Sequence, residues 1–198
     1  MSVMLDIVIS MVIFSMLTIT MINVNINLSD GNYKSFTDFK TQTELIQLGR
    51  ILEFDLYKAG YTIPTVDSRT GEKIAIADTS SLKFYTNLFN GAGEKDSVEY
   101  DLGGSVGAST NPRDRLLVRY ENLTKVYINY SVTRFKLTYY NTKDSLMATP
   151  VTGAFRDSIR SIRVLLTLES PEPFDTTRSG GNPYITTTYT KLIYPRNL

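Results

Sequence analysis

The 198-residue chain contains no Cys, no His and no Trp. Without Cys there is no disulfide framework, no thiolate metal site and no cysteine nucleophile. Without His there is no Ser-His or Cys-His catalysis and no imidazole ligand for zinc. No Pro occurs before Pro64, and no Lys or Arg before Lys34. Over the whole chain, 21 basic and 20 acidic residues leave a formal net charge of +1. The basic excess of a dedicated nucleic-acid binder is therefore missing, and no nucleic-acid partner is expected.

Apolar residues are concentrated at the start of the chain. The 23 residues from Ile7 to Ser29 carry no charge, and 14 of the 20 from Ile7 to Ile26 are strongly apolar. A helix of 20 residues rises about 30 Å, the thickness of a bilayer hydrocarbon core. Ser10, Ser15, Thr18, Thr20, Asn23 and Asn25 interrupt the run; the Ser and Thr hydroxyls can return to the helix backbone and so cost little in lipid, and the end near Asn23 to Asn27 is more polar. The segment reads as one transmembrane helix with a lipid membrane as its partner. It is too long, and lacks the basic start, for a cleaved secretory signal. Asp6 is the one acid near the span. Such a group is costly without a cation, and the nearest cation is a chain amino group, its own or a neighbour's. Because all Lys and Arg follow the span, flanking charge alone would place the C-terminal part in the cytoplasm; a basic leader removed by processing would reverse that.

Helix-compatible residues resume after Ser29-Asp30-Gly31-Asn32, where the helix either breaks or runs on. Leu45, Leu48, Leu52 and Leu56 then form an amphipathic stripe, with Ile51 and Phe54 beside it. Gly60 suits a helix C-terminus and Pro64 prevents continuation. Beyond that point the period changes to 2. Strands are predicted at 81–87, 97–102, 115–120, 125–130, 135–140, 159–168 and 184–194, with a turn at Asn90-Gly91-Ala92-Gly93 and a Gly/Ser-rich loop over 103–111. The predicted organisation is a hydrophobic transmembrane or filament-core helix over 1–30, its amphipathic continuation over 31–61, and an antiparallel β-sheet domain over 62–198. The fold class is α+β, with a long helix end packed on an antiparallel sheet.

The segment Ser2-Val3-Met4-Leu5-Asp6-Ile7-Val8-Ile9-Ser10 resembles the mature start of type IV pilins and type II secretion pseudopilins. In that family a hydrophobic residue comes first, an acid fifth, and then an apolar run. Leu48-Gly49-Arg50-Ile51-Leu52-Glu53-Phe54-Asp55-Leu56-Tyr57-Lys58-Ala59-Gly60-Tyr61 is similar to the helix-end motif of minor pilins like PilW and of J-type pseudopilins. The resemblance implies the lollipop pilin fold and a structural, non-enzymatic subunit held in the bacterial inner membrane with its globular domain outside the cytoplasm. It implies other pilin or pseudopilin subunits, the inner-membrane assembly platform and the prepilin peptidase as partners. On this alignment Ser2 takes the place of the mature N-terminus, the processing site lies at Met1 and Ser2, and Asp6 would pair with the amino group of a neighbouring subunit. The sequence departs from the family in having Asp where Glu is usual, Ser2 where Phe or Met is usual, and Met1 at the position of the leader's Gly.

Other chemistry is weakly marked. Glu94, Asp96, Glu99 and Asp101 crowd a predicted hairpin and read as solvated charges. The stretch from Asn90 to Asp96 could be a calcium loop, but it lacks the dense oxygen ligands of an EF-hand and Lys95 opposes a cation, so no cofactor is expected. Arg156, Arg160 and Arg163 could form a basic patch for phosphates, but they interleave with Ile159, Ile162 and Val164 and read as a strand's exposed edge. Three glycosylation sequons, at Asn27, Asn122 and Asn129, match a weak pattern.

Overall fold

A computed structural model describes residues 2–61, 72–88, 96–107, 109–122, 124–174 and 181–198. The chain falls into two compact units, Met1–Phe39 and Lys40–Leu198. Helix α1 spans Ser2–Tyr57, 56 residues. Of the two paths open at Gly31, the helix takes the continuous one. A lone helical Gly costs only about 1 kcal/mol against Ala, which neighbouring turns absorb.

In the first unit every described large apolar side chain from Val3 to Leu28 is exposed, from 48% for Ile9 to 79% for Met4. The polar interruptions behave as helix chemistry requires. Ser15 Oγ donates to the Met11 carbonyl at 2.7 Å, Thr18 Oγ1 to Phe14 at 2.8 Å and Thr20 Oγ1 to Met16 at 2.8 Å. These three hydroxyl protons are satisfied inside the helix, which lowers their cost on an apolar surface; Asn23, Asn25 and Asn27 are exposed toward its C-terminal end. Among the described residues, α1 is the one helix long and apolar enough to cross a membrane.

The second unit is the last part of α1 with a seven-stranded sheet. The strands are β1 (Ile74–Ala77), β2 (Ser81–Thr86), β3 (Asp96–Ser105), β4 (Arg115–Glu121), β5 (Thr124–Asn141), β6 (Ile159–Glu169) and β7 (Thr186–Ile193). Their spatial order is the chain order and every pairing is antiparallel. A 3-10 turn, Gly153–Ser158, precedes β6. The fold class is therefore the α+β arrangement expected: a long N-terminal helix followed by an antiparallel sheet.

Three details differ from the sequence reading. β1 was not anticipated: Ile-Ala-Ile-Ala is too short to carry a clear period, and its pairing with β2, Ile74 opposite Phe84, makes it a strand. The two strands expected at 125–130 and 135–140 are one 18-residue strand, β5. Its register shifts between Val132 and Arg134, and such an irregularity bends a strand without ending it. The loop expected from Gly103 begins later, because β3 continues to Ser105. The turn expected at Asn90–Gly93 and the helix stop at Pro64 lie outside the described residues.

Packing of this unit follows the stripe. Leu45, Leu48, Leu52 and Leu56 are buried in one cluster with Phe84, Tyr100, Leu137, Tyr139, Ile162, Val164 and Leu166. Burying each such side chain is worth about 1.5–3 kcal/mol. Ile51 and Phe54, expected beside the stripe, are exposed, since they fall outside the arc that faces the sheet. Two glycines are required by contacts. A Cβ on Gly49 would stand 3.0 Å from the Tyr189 ring, so its absence lets the ring lie on the helix. Gly60 has φ +74 at the helix end and accommodates the Asn197 carbonyl, where a Cβ would sit at 2.8 Å.

Candidate assembly site

Asp6 is exposed on α1, one residue from Ile7 and at helical spacing from Val3 and Ser10. With Met11, Phe14 and Ser15 these residues line a shallow apolar groove along the helix. Asp6 is thus the single carboxylate of a largely apolar surface. A carboxylate there is costly in a membrane or under an apolar cover unless a cation accompanies it. Ser2 is the first residue of α1. Met1, the other half of the expected processing site, lies outside the described residues.

Sequence reasoning missed a buried polar cluster in the second unit. Asp55 of α1 is 3% exposed, Tyr100 of β3 is 0% exposed and Arg119 of β4 is 9% exposed. Arg119 Nε donates to Asp55 Oδ2 at 2.6 Å, and the Tyr100 hydroxyl donates to the same oxygen. Arg119 also pairs with Glu121 on its own strand. Burial pushes the Tyr100 phenol well above its usual range, and the negative charge of Asp55 adds to the effect. Burial pulls Arg119 down, but its hydrogen bonds to Asp55 and Glu121 outweigh this and hold it above its ordinary value. Tyr100 therefore keeps its proton and Arg119 its charge at neutral pH. The cluster ties the last turns of α1 to two strands, and a shifted helix would strand a bare charge in the core. A signal was present in the sequence: Asp55 follows Leu48 and Leu52 at helical spacing and so falls on the apolar stripe.

A second pair repeats the theme nearer the edge. Lys191 of β7 pairs with Glu53 of α1, and the hydrogen bond to Glu53 raises the lysine. The charges expected to crowd the first hairpin are sorted by the fold. Asp96 is buried and accepts from the Leu88 amide at 2.8 Å and from Asn122 Nδ2 at 2.6 Å, while Glu99 pairs with Lys83 at 3.1 Å. Residues 89–95, most of the loop considered for calcium, lie outside the described residues. Among the described residues no three His, Cys, Asp or Glu side chains gather as a metal site. Arg156, expected on the strand with Arg160 and Arg163, lies in the preceding 3-10 turn. It pairs with Glu72 at 2.6 Å and donates to the Ala75 carbonyl, which covers the free edge of β1.

Among solved structures, a type IV-like pilin from Thermus thermophilus matches this fold with a TM-score of 0.52 and 12% sequence identity, over 79% of this chain and 95% of that one. No protein-family model matches the sequence, and no curated protein matches it. The fold is pilin-like.

Proposed function

We propose that the chain is a structural subunit, a minor pilin or pseudopilin, of a type IV pilus-like filament. The observation that carries this reading is the outward-facing apolar surface from Val3 to Leu28 on a helix that leads into a pilin-like sheet fold. That surface needs a non-aqueous cover. Lipid covers it while the subunit is stored in the inner membrane, and the helices of other subunits cover it after assembly. Asp6 then neutralises the amino group of an adjacent subunit. A buried pair of this kind is weak glue and a strong register device, because a wrong register leaves an unpaired charge among apolar side chains. Subunits related by an open helical operator form a filament instead of a closed ring. In this reading the assembly platform extracts the subunit, the prepilin peptidase trims it before Ser2, the new amino group is methylated, and the globular unit faces the periplasm or the cell surface.

The test is electron microscopy of filaments sheared from cells that make the chain, with N-terminal sequencing of the subunit recovered from them. The expected result is filaments containing the chain, with Ser2 first. Filaments that lack it, with the chain still monomeric in the membrane, would favour the second reading, an anchored extracytoplasmic binding module. A secretion cassette among the neighbouring genes would instead favour a J-type pseudopilin.

A further inference from the structure

The leucine stripe that seats α1 on the sheet turns the opposite side of the helix end outward. There Phe54, Tyr57 and Tyr61 are 59%, 41% and 37% exposed. With Lys58, Arg196 and Asn197 these three aromatics line one cavity of about 430 Å³ in the second unit. Its walls are fixed from beneath. The Thr86 hydroxyl donates to the Lys58 carbonyl at 2.8 Å, and the Gly60 amide donates to the Tyr85 carbonyl at 2.8 Å. The Asn197 carbonyl lies against Gly60 and accepts from Lys73 Nζ at 2.6 Å, while Pro195 and Leu198 on either side are buried. Lys58 Nζ stands 4.4 Å from the centre of the Phe54 ring, so a cation and an aromatic face already meet in the cavity. No carboxylate lines it. The acids beside these residues on α1 are engaged elsewhere, Glu53 by Lys191 and Asp55 by Arg119. Among the described residues neither Lys58 nor Arg196 has an acidic partner.

We propose that this cavity binds a small aromatic carboxylate. Cavities of roughly 300–1,000 Å³ hold small molecules, and the usual lining is apolar and aromatic with a few polar groups that fix orientation. Here the rings of Phe54, Tyr57 and Tyr61 offer stacking and edge contacts to a flat apolar body. Arg196 and Lys58 supply the two cations, and a guanidinium fork can hold both oxygens of one carboxylate. A sugar acid is a poorer fit, because sugar hydroxyls are donors that need acceptors, and the cavity offers no carboxylate to receive them. An acidic peptide is also a poorer fit, because an extended peptide is held through its backbone along a sheet edge, and this cavity lies at a helix end. The site is separate from Asp6 and does not depend on whether the chain enters a filament.

The test uses the full chain in neutral-lipid nanodiscs, with empty discs as the blank, and titrates it calorimetrically with 2-naphthoate. A Kd of about 0.1 mM is expected for a ligand of that size. The neutral isostere 2-naphthamide should bind at least tenfold more weakly, because it has no charge for Arg196 and Lys58 to meet. Arg196→Gln and Lys58→Gln should each weaken 2-naphthoate about tenfold, and a loss in either one supports the site. Tyr61→Ala should weaken the acid and the amide alike. Lys136→Gln, an exposed cation on β5 away from the cavity, should leave both unchanged. Melting curves check that each variant folds, and the naphthoate–naphthamide comparison on the unmutated chain carries the test if one does not. No binding of 2-naphthoate at 1 mM, equal binding of the amide, or an unchanged affinity in both cation variants would overturn the proposal. So would tighter binding of galacturonate or of N-acetylglutamate, which would assign the cavity to a sugar acid or to an acidic peptide instead.

Discussion

Two stretches of the same helix, 3–28 and 45–59, use similar residues in opposite ways. In the first, apolar side chains cover every side and all those described are exposed. In the second, the leucines recur on one side and vanish into the sheet unit, while polar residues with Ile46, Ile51 and Phe54 face out. The first stretch holds one acid, Asp6, exposed; the second buries Asp55 and supplies its cation from β4. A helix completed inside its own chain thus has a period and paired charges. The N-terminal stretch, which is not completed inside its own chain, has neither.

That contrast can be attacked from either side. The largest effect is expected at Arg119→Ala, which leaves Asp55 buried without a cation and costs about 3–5 kcal/mol, measured by urea unfolding of the sheet unit within the full chain. Replacing both residues, Asp55→Asn with Arg119→Met, should cost less than Arg119→Ala alone; equal or greater loss would show that the pair is not coupled. Leu52→Ala removes a fully buried side chain between helix and sheet and should cost about 3 kcal/mol by the same measurement.

Alkaline titration probes the same core more gently. Tyr100, Tyr139 and Tyr189 are all raised, chiefly by burial. A phenol with a raised folded-state value keeps its proton in the fold after the unfolded chain has lost it. Stability is therefore flat below about pH 10 and falls above it, up to the folded-state values, by about 1.4 kcal/mol per pH unit for each of the buried Tyr100 and Tyr139 and by less for the more exposed Tyr189. Tyr139→Phe should make the decline shallower. A stability that rises above pH 10 would reverse the assigned sign.

The N-terminal span, the leucine stripe and most strands were legible because each depends on local period alone. Less legible were the features set by partners distant in sequence. Ile74–Ala77 becomes β1 through β2, and residues 125–140 stay one strand because both flanks find neighbours. Asp55 was visible as an acid on an apolar stripe, but Tyr100 and Arg119 carry no mark of their own until β3 and β4 bring them under the helix. Asp6 is the reverse case, conspicuous in the sequence and, among the described residues, still exposed on α1.

The smallest effect on folding is expected there. Asp6→Ala or Asp6→Lys touches no core residue and should change the stability of the sheet unit by less than about 0.5 kcal/mol. A larger loss would mean that the N-terminal stretch is completed within its own chain after all.

The most direct measurement compares wild-type, Asp6→Ala and Asp6→Lys chains, made at equal levels, for the amount recovered in sheared filaments. A subunit that uses Asp6 to fix its register against a neighbour's amino group predicts normal filament entry for the wild type and loss of both variants, with all three sheet units folded. Equal entry of the three into filaments would contradict that role.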